Sequence, residues 1–177
     1  ISPLGIEREH PLIHVREALE VCRRLLDGET VDFSGDTLTV RGARLAHTRP
    51  AIEIWFAGRS PLLLGHAGAT VDGALLEFLH IPSLGDYVDH VRSGAQRVGR
   101  SVPRLSFSTC VITHRARFES IRPHMTYRLV DSPAAVKQRL GITPAHVAAI
   151  REAMSDGLDA AAPLVPDEWI EPFVVFG

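Results

Sequence analysis

The stretch Ile52-Glu53-Ile54-Trp55-Phe56-Ala57-Gly58-Arg59-Ser60-Pro61, continued through Leu62 to Ala69, leaves this chain few folds to choose from. Its first half is a short apolar run rich in β-branched and aromatic residues. Punctuated by Pro50 before it and Gly58 after it, the run predicts a buried strand. A helix should follow at once. Ser60 is a residue type that accepts a backbone N–H as an N-cap, and Pro61 suits the first helical position, where its missing donor would have gone unpaired anyway. Leu62, Leu63, His66 and Ala67 then share one helical face, and a second apolar strand is predicted at Val71-Asp72-Gly73-Ala74-Leu75-Leu76. Strand, short helix and strand describe a parallel βαβ unit, whose ligands sit at the carboxyl ends of the strands. In this chain that end is Gly58-Arg59-Ser60. A glycine there allows close backbone approach, the free N–H groups of a helix start favour an anion, and Arg59 offers a planar cation. The corner is thus a candidate grip for phosphate or another acidic group; the plainer reading is a good helix start beside a solvated arginine.

The rest of the chain fits around that unit. After an irregular lead-in from Ile1 to His10, Pro11 begins a predicted helix to about Asp27. Leu12, Val15, Leu19, Cys22 and Leu26 recur on its apolar face, Arg16, Glu17, Glu20, Arg23 and Arg24 cover the other, and Gly28 is the terminating residue. From Glu29 to Leu45 the period changes to two. Val31 and Phe33, the turn Ser34-Gly35-Asp36, then Leu38 and Val40 predict a β-hairpin, placed outside the main sheet. Beyond the βαβ unit come a helix over about Leu84–Val98 and a third strand, Leu105–Ile112, with Arg104 solvated at its start. Helices are predicted over about Arg117–Leu129, with Met125 and Tyr127 on its apolar stripe, Pro133–Leu140 and Pro144–Met154, the last with Thr143-Pro144 as a cap-plus-proline start. Asp156 to Pro166 reads as a loop, Asp167–Glu171 as a short helix, and Phe173-Val174-Val175-Phe176 as a final apolar run. Alternating apolar strands and helices argue an α/β fold with a parallel sheet, in one domain spanning 1–177. A closed barrel of eight strands needs roughly 250 residues, and a three-stranded parallel sheet alone would leave two unpaired edges.

Composition excludes several functions. With 177 residues, 45% hydrophobic and 23% charged, the chain suits one sizeable core and not disorder. A net charge of −2 leaves no electrostatic footprint for nucleic acid or an anionic membrane surface. No run is long enough for a membrane span and no signal peptide is visible, so a cytoplasmic protein is expected. Cys22 and Cys110 lie in apolar settings without CxxC spacing and read as buried free thiols. The nine histidines show no metal-ligand pattern, and His10 and His14 share a helical spacing without a third ligand, so no metal is expected.

Three segments, in this order and spacing, carry a family likeness: Arg16-Glu17-Ala18-Leu19 through Arg24-Leu25-Leu26-Asp27-Gly28-Glu29-Thr30-Val31-Asp32-Phe33-Ser34-Gly35; Ile54-Trp55-Phe56-Ala57-Gly58-Arg59-Ser60-Pro61; and Ala67-Gly68-Ala69-Thr70-Val71-Asp72-Gly73. Together they resemble the luciferase-like family of flavin- or deazaflavin-dependent TIM-barrel oxidoreductases, within it the branch using coenzyme F420, such as methylenetetrahydromethanopterin reductase. The resemblance implies a partial TIM barrel, about strands five to seven with their helices plus the inserted hairpin. Relatives run to more than three hundred residues, and a chain that opens on Ile1 and ends at Gly177 is expected to be their second half, stopping short of the eighth strand. The first four strands, which in relatives carry much of the coenzyme pocket and the usual acid/base residues, have no counterpart, so no catalytic residue is singled out.

The resemblance further implies that Gly58, Arg59 and Ser60 hold the phosphate-bearing tail of the coenzyme and that Ala57 lines the wall near its ring. Glu77 and Phe78, at the end of the next strand, and His80 just past it, would face the substrate mouth. No basic residue of the kind found there in sugar-phosphate-oxidising relatives is present. Ordinary roles stand beside these: Glu77 as a solvated rim residue, His80 and His114 as loop or capping histidines, Asp72 as the residue that orders the turn before its strand. The expected activity of the parent is hydride transfer to or from a deazaflavin acting on a small molecule, with a homodimer as its assembly. The alternatives are an FMN-dependent monooxygenase of the same fold and a non-catalytic fragment or scaffold module completed by another chain.

Overall fold

The structure, a computed structural model, describes residues 10–49 and 51–177. The expected lead-in over residues 1–9 and the punctuation at Pro50 lie outside the described residues. Helix α1 (Pro11–Leu26) ends at Gly28, whose φ of 89° only a glycine adopts without strain. The Gly28 and Glu29 N–H groups return to the Leu25 and Arg24 carbonyls, closing the helix end. Strands β1 (Val31–Ser34) and β2 (Thr39–Ala43) form an antiparallel hairpin in a sheet of their own, as expected.

The hairpin's link to α1 departs from the expected solvent face. Glu17 is buried, and its carboxylate accepts the N–H groups of Asp36, Thr37 (2.9 Å) and Leu38 (2.9 Å) and the Thr37 hydroxyl (2.8 Å). Helical periodicity alone put Glu17 outside, because the partner that covers it comes from the hairpin turn. The same rotation turns Val21 inward and leaves Cys22 exposed; Cys110, on a later strand, is half-buried, so neither thiol is buried as expected.

The central βαβ unit forms as read. Strand β3 (Trp55–Ala57), helix α2 (Pro61–Thr70) and β4 (Gly73–Glu77) are followed by α3 (Leu84–Arg97) and β5 (Arg104–Ser108), and the strands pair in parallel in the order β3-β4-β5. Helix α2 buries Leu64, Gly65, Ala67 and Gly68, while Leu62 stays 70% exposed, so the buried face is rotated from the one expected. Packing against α3 decides this. A Cβ on Gly68 would collide with the Val91 carbonyl, and one on Gly94 with the Gly65 carbonyl, so the two backbones approach as closely as glycine permits.

The predicted third strand is two strands. Beyond β5, Thr109 turns its hydroxyl to the Phe173 carbonyl, and β6 (Cys110–Ile112) pairs in parallel with β7 (Val174–Phe176). The final apolar run therefore adds a further parallel position to the three strands read from sequence. Between β6 and β7 lie α4 (Arg115–Val130), α5 (Ala134–Arg139), α6 (Pro144–Ala153), α7 (Leu158–Ala161) and α8 (Asp167–Ile170), so the loop expected from Asp156 to Pro166 is partly helical. Met125, Leu129, Ile150, Ile170 and Phe173 gather with Leu64 and Leu76 into one core. Arg122, with Arg115, pairs with Asp167 and Glu119 to join α4 to α8.

Two outcomes test this packing. Gly94→Ala is expected to lower unfolding stability by about 1–3 kcal/mol through overpacking, read from urea denaturation. Burial raises the Glu17 carboxyl, but the Thr37 hydroxyl and then the turn's amides together outweigh it and hold the group below its ordinary 4.5. A lowered folded-state value means the stabilisation is complete above the ordinary value and lost as the pH falls through the folded one. The protection of the Asp36–Leu38 amides against hydrogen exchange, taken relative to the unfolded chain's rate at the same pH, should therefore be high at neutral pH and fall in acid, and Glu17→Gln should already show low protection at pH 7.

Candidate functional site

The carboxyl ends of β3 and β4 bring Gly58, Arg59 and Ser60 beside Glu77 and Phe78. Gly58 is required for a reason other than ligand approach alone: a Cβ would run into the Phe56 ring. Ser60 occupies the N-cap position of α2, and its carbonyl accepts the Leu64 N–H at 2.9 Å, but its side chain makes no cap bond. Thr143, with the same cap-plus-proline signature, does: its hydroxyl accepts the His146 N–H and the His146 ring answers at the Thr143 N–H. Among the described residues, no side chain takes the Ser60 hydroxyl or the first amides of α2, the requirement for an anion site at a helix N-terminus.

Arg59 is half-buried and has no carboxylate partner among the described residues. Its Nη1 donates only to the main-chain carbonyl of Arg128, at 3.4 Å. Burial, then the positive charge of Arg128, pull its guanidinium below the ordinary arginine value. Tyr87, buried on α3, is affected in turn: burial raises its hydroxyl and the Arg59 charge opposes the rise.

Arg128, on the last turn of α4, is the residue that sequence reasoning missed. Its Nη1 donates to the Glu77 carbonyl at 3.3 Å, and its guanidinium lies 5.2 Å from the centroid of the Phe78 ring and 5.6 Å from that of Tyr127. Its Nε is buried and meets no acceptor, a loss of about 1–3 kcal/mol for a group of this kind. Phe78 itself has a φ of 50°, rare for a bulky residue and the sort of backbone strain that clusters at functional sites. Its N–H is held by the Ser108 carbonyl at 2.8 Å, which fixes the bend that brings its ring under Arg128. The partners that place Arg128 at this corner, Arg59, Glu77 and Phe78, lie at least fifty positions away in the chain, so no local pattern marks it. A cation does reach the end of β4, delivered from α4 and not from the strand where sequence showed none.

The remaining candidates fall elsewhere. Ala57 is exposed at the end of β3, and Glu77 is exposed with only its carbonyl engaged by Arg128. His80 is buried, with Nδ1 2.7 Å from the Ser83 hydroxyl and its ring edge-on to Phe173. Arg139 also donates to Ser83 and pairs with Asp86 at 2.8 Å, and burial, then Arg139, lower the His80 imidazole. Asp72 sits at the opposite end of the strands: Oδ2 accepts the Ile54 N–H at 2.8 Å and Arg23 at 3.0 Å. Burial raises its carboxyl, but these bonds outweigh it and hold the group below the ordinary value. Two clefts, of about 520 Å³ beside α1 and α2 and about 820 Å³ between α5 and α6, lie away from the corner. The first is lined by Ile54 and Val71, which precede the strands, and so lies at the opposite end from the corner. Among the described residues no three His, Cys, Asp or Glu side chains gather as a metal shell, and no helix is long and apolar enough to cross a membrane.

Parallel strands joined by helices, with a glycine, a half-buried arginine and a helix start at their carboxyl ends, define an α/β fold. Residues 2–177 match the luciferase-like monooxygenase family, and the chain belongs to that family. It is 28% identical over 185 residues to 5,10-methylenetetrahydromethanopterin reductase of Archaeoglobus fulgidus, covering 98% of this chain and 55% of that protein. The same reductase of Methanolobus tindarius gives 28% over 182 residues, covering 98% and 56%. Among solved structures, the coenzyme F420-dependent tetrahydromethanopterin reductase of Methanopyrus kandleri superposes with a TM-score of 0.71 at 24% identity over 93% of this chain and 50% of that one. An F420-dependent secondary alcohol dehydrogenase with an F420-acetone adduct gives 0.65 at 18%, over 97% and 50%. The chain spans about half the length of the curated relatives it matches.

Because Arg59 loses no ion pair on substitution, Arg59→Gln is expected to leave unfolding free energy within about 0.5 kcal/mol of wild type, or above it, in urea titrations. Asp72→Ala, which removes the acceptor for Ile54 and Arg23, should cost about 1–2 kcal/mol.

Proposed function

We propose that this chain is part of a coenzyme F420-dependent oxidoreductase and that Gly58, Arg59 and Ser60 hold the phosphate-bearing tail of the coenzyme. One observation carries the reading: a half-buried guanidinium without a carboxylate partner stands beside an uncapped helix start at the carboxyl ends of parallel strands. The similarity to 5,10-methylenetetrahydromethanopterin reductases supports it, as does the fold shared with two F420-dependent enzymes. When bound, the deazaflavin supplies the hydride chemistry. The residues of this chain bind and orient: the α2 amides and Ser60 hydroxyl meet the oxyanion, Arg59 neutralises it, Ala57 lines the wall by the ring, and Glu77 and Phe78 border the substrate mouth.

In this reading the chain forms about half of a TIM barrel, the acid/base residues come from the parent's other strands, and the intact parent is a homodimer acting on a small molecule. Titrating the intact parent with each coenzyme tests it. Binding of the deazaflavin coenzyme is expected, weakened about tenfold, or 1.4 kcal/mol, by Arg59→Gln. Affinity for a deazaflavin lacking the tail should be unchanged. Tight FMN binding without deazaflavin binding would turn the assignment to an FMN-dependent monooxygenase. A coenzyme-reduction assay on the 177-residue chain alone should give no turnover.

A further inference from the structure

We propose that Arg128 is a second anion-binding residue of the corner and that Arg59 and Arg128 together take one oxyanion, a phosphate ester or a carboxylate. The proposal rests on the reading of Gly58-Arg59-Ser60 as an anion site, but not on which molecule brings the anion. Three observations carry it. Arg59 reaches the Arg128 main chain, and among the described residues neither guanidinium has a carboxylate within ion-pair distance. Arg23, Arg115, Arg122 and Arg139, which also join separate elements of this fold, are each neutralised by an aspartate or glutamate, whereas the exposed Arg41 reaches only the Phe33 carbonyl. The Arg128 fork is also only partly used: one Nη bonds a carbonyl, Nε meets no acceptor, and the plane is steadied on Phe78, whose left-handed backbone places its ring there.

Two partly buried like charges without a counterion are an unfavourable arrangement that an oxyanion relieves, and a planar fork suits a phosphate or carboxylate edge better than an ammonium does. Arg128 also touches the Glu77 carbonyl and Phe78, so the anion would sit between the corner after β3 and the mouth after β4. Its source is either the coenzyme tail or an acidic group on the substrate.

The test is calorimetric titration of the full-length parent with inorganic phosphate, free and saturated with deazaflavin coenzyme. Arg59→Gln and Arg128→Gln should each weaken phosphate at least tenfold, whereas Arg92→Gln, at an exposed pair with Asp89 on α3, should leave it unchanged. Arg128→Lys, which keeps the charge and loses the fork, should weaken it about threefold and serves if Arg128→Gln does not fold. Loss of phosphate binding on coenzyme saturation assigns the anion to the coenzyme tail; retention assigns it to the substrate; both support the proposal. Wild-type affinity in Arg128→Gln or Arg128→Lys, with loss in Arg59→Gln, overturns the role of Arg128 and leaves the coenzyme assignment standing. No phosphate binding by the wild type, or equal loss in Arg92→Gln, overturns the two-arginine site.

Discussion

A single carboxylate, that of Asp72, fixes where the parallel strands begin. It accepts the Ile54 N–H while the Asp72 N–H donates back to the Ile54 carbonyl at 2.9 Å, so the residues preceding β3 and β4 are locked face to face. The register Trp55 opposite Gly73 follows directly, and the same carboxylate draws in Arg23 from α1. Side chains alternate along a strand, so a shift of one position would turn every one of them to the other face. With the beginnings fixed, the ends are fixed too: Gly58 and Phe78 follow the last paired residues of β3 and β4 at the carboxyl edge of the sheet.

That edge is electrostatically unfinished, and the contrast with the rest of the molecule gives it meaning. Two buried or linking charge clusters elsewhere are satisfied: the Arg115–Asp167–Arg122–Glu119 network between α4 and α8 and the Glu17 carboxylate held by hairpin amides. At the corner, among the described residues, Arg59 is half-buried without a carboxylate partner and Arg128 keeps a buried N–H unspent. Folding a protein around such groups costs stability, and sites that bind ions are where this is tolerated.

The helices between β6 and β7 supply the other half of the arrangement. Helix α4 buries Met125 and Leu129 in the core, which fixes its rotation and leaves Arg128, the residue next to Leu129, directed to the end of β4. The hydrophobic contacts thus set the electrostatic geometry.

The alternation of strands and helices, the βαβ unit, the separate hairpin and the helix stops at Gly28 and Gly99 were all legible in the sequence, because each depends on a local pattern of apolar spacing or a backbone conformation only glycine adopts easily. Gly58, Arg59 and Ser60 were legible as a corner for the same reason, since strand end and helix start are adjacent in the chain. What periodicity did not determine was which face of a helix is buried or which neighbour covers it. Glu17 went inward because a turn some twenty residues away offered three amides, Leu62 outward because α2 meets α3 through glycines, and the strand over Leu105–Ile112 broke because Thr109 found the Phe173 carbonyl. Arg128 joined the site across fifty residues of intervening chain. Short-range pattern sets local conformation; only packing between distant segments decides which side chains share a site, because that depends on desolvation and hydrogen-bond satisfaction over the assembled whole.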